Sequence, residues 1–171
     1  MTPAEPLSAE HLALRDQLMA QAARQGAALV DVEGDQDGAP YTFTVGAWHH
    51  LEVPEAVTIG LPVGAGGPLL LNYLRRAADG EEFSPGKVFD DLLEGVLVTV
   101  ERVNKGHYFE FFGSAFLVYR TGDFPAIQLI TATPDDNWPW EDEAPEGFDL
   151  WQPVLTESGV PESWTPGVDG P

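Results

Sequence analysis

The sequence predicts an α+β domain: a largely antiparallel sheet of about five strands, about three helices packed over it, and an irregular Pro- and Trp-rich C-terminal wrap. Three observations lead there. Short β-branched runs such as VLVTVERV alternate with two amphipathic helical patterns. Turn chemistry separates the runs, and Asp37-Gly38 is its sharpest hairpin signal. From Asp135 onward, prolines recur too often for any long regular element.

Taken in order, Ser8 to Gln25 reads as the first helix. Ser8 suits an N-cap, Leu14, Leu18 and Ala22 repeat on one face, and Gly26 suits the stop. Ala27 to Val32 and Tyr41 to Gly46 then form a hairpin around the turn EGDQDGAP. Glu55 to Leu61 is the next strand. The loop GLPVGAGGP leads into a second helix, with Pro68 at its start, Leu70, Leu71, Leu74, Ala77 and Ala78 on its buried side, and Gly80 beyond it. Such a glycine loop before a helix can present amides to an anion, but no Lys-Ser/Thr pair follows it, so it reads as a strand-to-helix connection.

Leu92 to Val103 carries the clearest strand signal. The segment His107 to Arg120 is read as a helix, because Tyr108, Phe112, Ala115 and Tyr119 recur at intervals of four, three and four. Ile127 to Ala132 is a further strand. After Asp135 the chain is acidic, yet Trp138, Trp140, Phe148, Leu150, Trp151 and Trp164 are costly to leave in water. The part up to about Leu155 is therefore expected to wrap over the domain. One domain spanning 1–171 is expected, with 1–7 and about 156–171 as loose ends.

The bulk composition narrows the function classes. Net charge is −20, from 28 acidic and 8 basic side chains. Such a chain repels phosphate backbones and anionic membranes, so nucleic-acid and membrane partners are not expected. It attracts basic partners. There are no cysteines, which removes disulfides and thiolate chemistry and fits a cytoplasmic location. The N-terminal stretch lacks the basic and apolar regions of a signal peptide.

The order of several motifs resembles one bacterial family. YTFTVG (Tyr41 to Gly46), VPEAVTIGLP (Val53 to Pro62), LLN (Leu70 to Asn72), GEEFSPG (Gly80 to Gly86), FPAIQLITATPDDNWPWE (Phe124 to Glu141) and QPVL (Gln152 to Leu155) follow one another as in the family called domain of unknown function 4262. The resemblance covers about Gly26 to Leu155. The family pattern has His-Pro-Glu where this chain has Val53-Pro54-Glu55, so that histidine is missing and His49 or His50 would have to stand in for it. The resemblance implies no reaction.

Candidate catalytic groups are His49, His50, Glu55, Asp135 and Glu141, a set that could divide acid and base roles if brought together. Trp48, Trp138 and Trp140 are candidate ligand-stacking residues. On a strand, His49 and His50 would point to opposite faces. No HExxH or HxH spacing occurs, so no metal and no cofactor are expected. These features favour a non-enzymatic domain that binds a basic protein or a small molecule. The alternative is a small hydrolase-like enzyme with a His/carboxylate pocket near Trp138 to Glu141. That pocket requires the ends of the Tyr41 and Ile127 strands to meet, as parallel neighbours would; antiparallel neighbours would hold them apart.

The charge excess has a consequence for stability. Added sodium chloride should raise the Tm, because the Debye length falls from ~10 Å at 0.1 M to ~3 Å at 1 M and screens like-charge repulsion. A flat or falling melting temperature across a salt series would show that the carboxylates are already paired or dispersed.

Overall fold

The computed structural model describes residues 6–62 and 64–163. Among them the chain folds as α+β, with one mixed sheet of six strands in the order β1-β2-β3-β6-β5-β4. The strands are β1 (Ala28–Val32), β2 (Tyr41–Val45), β3 (Glu55–Ile59), β4 (Val88–Leu93), β5 (Val96–Arg102) and β6 (Ala126–Thr131). The central pair β3 and β6 runs parallel, and every other neighbouring pair is antiparallel.

Two long helices flank the sheet: α1 (Ala9–Gln25) and α3 (Gly66–Ala78). Ser8 caps α1 by accepting a hydrogen bond from the His11 amide at 3.2 Å. Gly26 ends that helix at φ 97°, a conformation that suits glycine. The remaining α-helices are single turns: α2 (Ala47–Leu51), α4 (Tyr108–Phe111) and α5 (Phe148–Trp151).

Strand alternation gives the sheet two different faces. Ala56, Ile127, Leu129, Val98 and Val100 face Leu69, Leu70, Tyr73, Leu74 and Ala77 of α3. Phe43, Val45, Val57, Ile59 and Ala126 face Leu18 of α1 and a cluster of aromatic rings, among them Tyr108, Phe111, Phe112 and Phe124. The far end of that second face, at Ile130 and Ala132, is covered by Trp138 and Val154.

Two elements differ from expectation. The segment from His107 to Arg120 is not one helix but α4 between 3-10 turns at Lys105–His107 and Gly113–Leu117. Its stripe is nonetheless real: Tyr108, Phe112 and Ala115 are buried. Aromatic side chains have low helix propensity and Gly113 breaks the run, so ring packing sets the path instead. Strand β4 carries no clean alternation. Asp90 and Asp91 are both exposed, and the register with β5 shifts between Phe89 and Leu93. An irregular, acidic edge strand of this kind resists edge-to-edge pairing, which also hides it from a period-two pattern.

The C-terminal wrap is held by two buried glutamines. Gln128, in the middle of β6, donates to the Pro153 carbonyl at 2.7 Å and accepts from the Leu155 amide at 2.9 Å. Gln152 accepts from the Thr131 amide and donates to the Thr131 carbonyl, at 2.9 and 2.7 Å. It thus acts as one more β-partner at the end of β6. The wrap continues past Leu155: Thr156 is buried, and the Ser163 amide and hydroxyl both donate to Glu101 of β5. Trp164 lies outside the described residues. No helix among the described residues is long and apolar enough to cross a membrane.

Replacing Gln152 with Leu should leave the Thr131 N–H and C=O buried without partners. The expected cost is about 3 kcal/mol, a fall in Tm on the order of 6–12 °C. A thermal melt within about 2 °C of the parent would show that this glutamine does not hold the wrap.

Candidate functional site

Of the sequence-predicted site residues, Glu55 is the one the fold encloses completely, at 0% exposure. It begins β3, and its carboxylate meets five donors. Oε1 accepts from Thr44 Oγ1 at 2.7 Å and from the Ala47 amide at 3.1 Å. Oε2 accepts from the Gly46 amide at 3.1 Å, the Trp48 amide at 3.2 Å and Tyr119 Oη at 2.5 Å. The three amides belong to the start of α2, where the helix dipole favours a negative charge. Gly46 permits this arrangement. Its φ is 105°, and a Cβ there would lie 2.8 Å from Ala22 Cβ.

Burial pushes the Glu55 carboxyl above the ordinary carboxylate range. Tyr119, Thr44 and the amides of Trp48 and Ala47 pull it back, but desolvation is the larger effect. The Tyr119 phenol is likewise driven above its usual range, by burial first and by Glu55 second. Tyr119 Oη also accepts from the His49 amide at 3.0 Å. Tyr73 Oη donates to the Pro54 carbonyl at 2.7 Å and fixes the turn before Glu55. The arrangement is an anchor. No solvent-borne substrate reaches an enclosed carboxylate whose five partners are protein donors.

The other predicted residues fall into two groups on opposite edges. Trp48, His49 and His50 sit on α2, all exposed, with the two imidazole rings edge to face at 5.0 Å. They lie on a helical turn that follows β2. Asp135 is exposed in the turn after β6. Glu141 is half-buried and accepts from the Trp138 amide at 2.7 Å, which closes a local turn. Trp138 is buried, and Trp140 stacks on it at 5.6 Å.

The expected meeting of the two strand ends does not occur. β3 lies between β2 and β6; it is antiparallel to the first and parallel to the second. β2 and β6 therefore run in opposite directions. The end of β2 lies beside the starts of β3 and β6, while β6 ends at the far edge. The His/carboxylate pocket near Trp138 to Glu141 is not assembled. Trp140 and Glu141 instead line a cleft of about 370 Å³ with Asp142, Glu146 and Val160. Among the described residues no group of three or more His, Cys, Asp or Glu is placed to hold a metal ion.

Further concave surface lies at the end of the β1–β2 hairpin. Two clefts open there, of about 280 and 330 Å³, and share Val32, Glu33 and Tyr41. The first lies on the α3 side, where Asp31, Thr42 and Thr58 form a row across β1, β2 and β3. The second lies on the aromatic side, among Asp37, Glu110, Phe111 and Leu150. Thr42 Oγ1 donates to Asp31 Oδ1 at 2.7 Å. Tyr41 stands between the clefts, its ring edge to face with Phe111 at 5.1 Å and its hydroxyl donating to the Glu110 carbonyl. Sequence reasoning took EGDQDGAP as turn chemistry only. The missed signal is that no Lys or Arg occurs between Arg24 and Arg75.

Replacing Glu55 with Gln should cost about 3 kcal/mol, because an amide group would then face backbone donors. Tyr119→Phe should cost about 2 kcal/mol by the same reasoning. A carboxyl whose folded value is raised stabilises the fold while protonated, and that contribution is lost as pH rises from the ordinary carboxylate range through the raised value. The stability gap between parent and E55Q should therefore narrow as pH rises through that window. Urea unfolding at a series of pH values measures it; a gap that widens would mean that the five donors outweigh burial.

No curated protein matches this chain, and no solved structure does. A family model described as Domain of unknown function (DUF4262) matches residues 21–145, a span that takes in the Glu55 anchor, the hairpin end and the Trp138–Trp140 stack. The chain belongs to the DUF4262 family.

Proposed function

We propose that this domain is a non-enzymatic binding module whose ligand, a cationic group on a protein or small molecule, seats at the end of the β1–β2 hairpin. One observation carries this. The two clefts that share Val32, Glu33 and Tyr41 are lined by five carboxylates, Asp31, Glu33, Asp35, Asp37 and Glu110, and by no Lys or Arg. Apolar surface lies between these charges: Leu61 and Pro62 on one side, Phe111 and Leu150 on the other. A cation with an apolar body gains from both, since the charge finds carboxylates and the body leaves water.

Leu150 is 80% exposed and Trp151 48%, which extends the apolar surface beyond the second cleft. The Trp151 indole donates to the Gly60 carbonyl at 2.9 Å, so this rim is tied to the end of β3. An enzymatic pocket built on His49 or His50 and the Trp138 to Glu141 segment has no assembled counterpart, because those groups occupy opposite edges of the sheet.

A peptide alternating Arg and Leu serves as the probe, titrated into the intact protein by calorimetry. Neutralising Asp31, Glu33, Asp37 and Glu110 together should weaken binding at least about tenfold and flatten its salt dependence. Neutralising Asp142, Glu143 and Glu146, three carboxylates away from the hairpin, should change affinity by less than about twofold. Equal losses from the two sets would reduce the interaction to general attraction by a polyanion, and the hairpin end would not be the seat.

A further inference from the structure

A cleft of the opposite charge is formed by the end of α1, the end of α2 and one side of α3. It measures about 490 Å³ and is lined by Arg24, Leu51, Leu71, Leu74, Arg75 and Ala78. The last four follow one another at helical spacing along α3. Packing fixes the floor. Gly26 ends α1 at φ 97°, and a Cβ there would lie 2.6 Å from Leu51 Cδ1. Leu74 is buried, whereas Leu71 is 39% exposed and offers apolar surface to a ligand.

Two of the chain's 8 basic side chains line this cleft, and among the described residues no carboxylate does. Arg24 has no ion pair and no side-chain hydrogen bond among the described residues. Arg75 donates to Asn72 Oδ1 at 2.7 Å and forms no ion pair among them. A guanidinium carries five donors, so most remain available. Arg76, the next residue, is by contrast held by Glu81 and Asp91. Arg24 and Arg75 lie in the last turns of their helices, where they offset the negative ends of the dipoles. Each such end amounts to about half a charge, so about one of the two positive charges is left over. Positive charge beside leucine surface suits an anion with an apolar body. The net charge of −20 repels every anion, and the repulsion grows with the ligand's own charge. A single carboxylate therefore fits better than an acidic peptide or a polyphosphate.

We propose that this cleft binds a monocarboxylic acid with a medium-length apolar tail. The carboxylate lies between the guanidinium groups of Arg24 and Arg75, and the tail lies against Leu51, Leu71, Leu74 and Ala78. The volume falls within the range of small-molecule sites. No lining residue is shared with the hairpin clefts, so this inference does not rest on the cation seat.

The test titrates the intact protein with three probes: sodium octanoate, sodium butanoate, which keeps the charge and shortens the tail, and octan-1-ol, which keeps the tail without the charge. Octanoate should bind at least about tenfold more tightly than butanoate, since each buried CH₂ is worth about a factor of four. It should also bind at least about tenfold more tightly than octanol. In amide-resolved NMR, octanoate should shift the Leu51, Leu71 and Ala78 resonances and leave those of Glu33 and Asp37 in place. Arg24→Gln and Arg75→Gln together should weaken octanoate at least about tenfold. Arg15→Gln and Arg102→Gln together change the net charge equally and should change affinity by less than about twofold. The Tm of both double variants is checked in parallel, and the octanoate–octanol comparison on the parent does not depend on any variant folding. Octanol binding as tightly as octanoate, or equal losses in the two double variants, would overturn the proposal. So would butanoate binding as tightly as octanoate, resonance shifts confined to the hairpin end, or no octanoate binding up to about 10 mM. Each of these failures leaves the Arg/Leu peptide's binding at the hairpin end as a separate measurement.

Discussion

The carboxylate of Glu55 is the constraint on which this edge of the fold depends. It joins β2 through Thr44, the start of α2 through three amides, and the turn after the aromatic cluster through Tyr119. Removing any one donor would take a partner from a carboxyl that water cannot reach. The position of α2 follows from this. Its N-terminal amides need an acceptor, and a carboxylate from the next strand supplies it. Trp48, His49 and His50 are carried to the surface as a consequence. A motif that reads as acid chemistry in the sequence thus serves to fix a corner.

The opposite edge is organised by neutral groups. Gln128 and Gln152 each offer both a donor and an acceptor: Gln152 stands in for a missing strand where β6 runs out of partners, and Gln128 satisfies the wrap's own backbone at Pro153 and Leu155. An irregular, proline-rich segment could not satisfy those backbone groups by itself, because proline lacks the N–H. The amide side chains allow the wrap to pack as part of the core without being a strand. Trp138 then covers Ile130 and Ala132, and Glu141 closes the turn beneath it.

Between these two fixed edges, charge and concavity coincide at the hairpin end. At the end of β1 and β2, carboxylates surround apolar lining on both faces of the sheet. On the α3 side, the packing that shapes the cleft is the close approach of Gly66 to Thr42, which only a residue without Cβ permits.

The α+β class, the first helix with its Ser8 cap, the hairpin around Asp37-Gly38 and the buried stripe of Tyr108, Phe112 and Ala115 were all determined by sequence. Each is a local matter of capping, turn preference or apolar spacing, and local chemistry carries it. Family membership was legible in the same way, from motifs in order. Strand order was decided only in three dimensions. Whether β2 and β6 bring their ends together depends on a strand inserted between them and on its direction, and neither leaves a periodic trace. The role of Glu55 was hidden for a related reason: its partners lie 7 to 64 residues away. The hairpin clefts were hidden because a cleft is defined by what packs beside it. Asp31, Thr42, Thr58 and Gly66 are scattered in the chain, and they become neighbours only when three strands align in register and a helix starts above them.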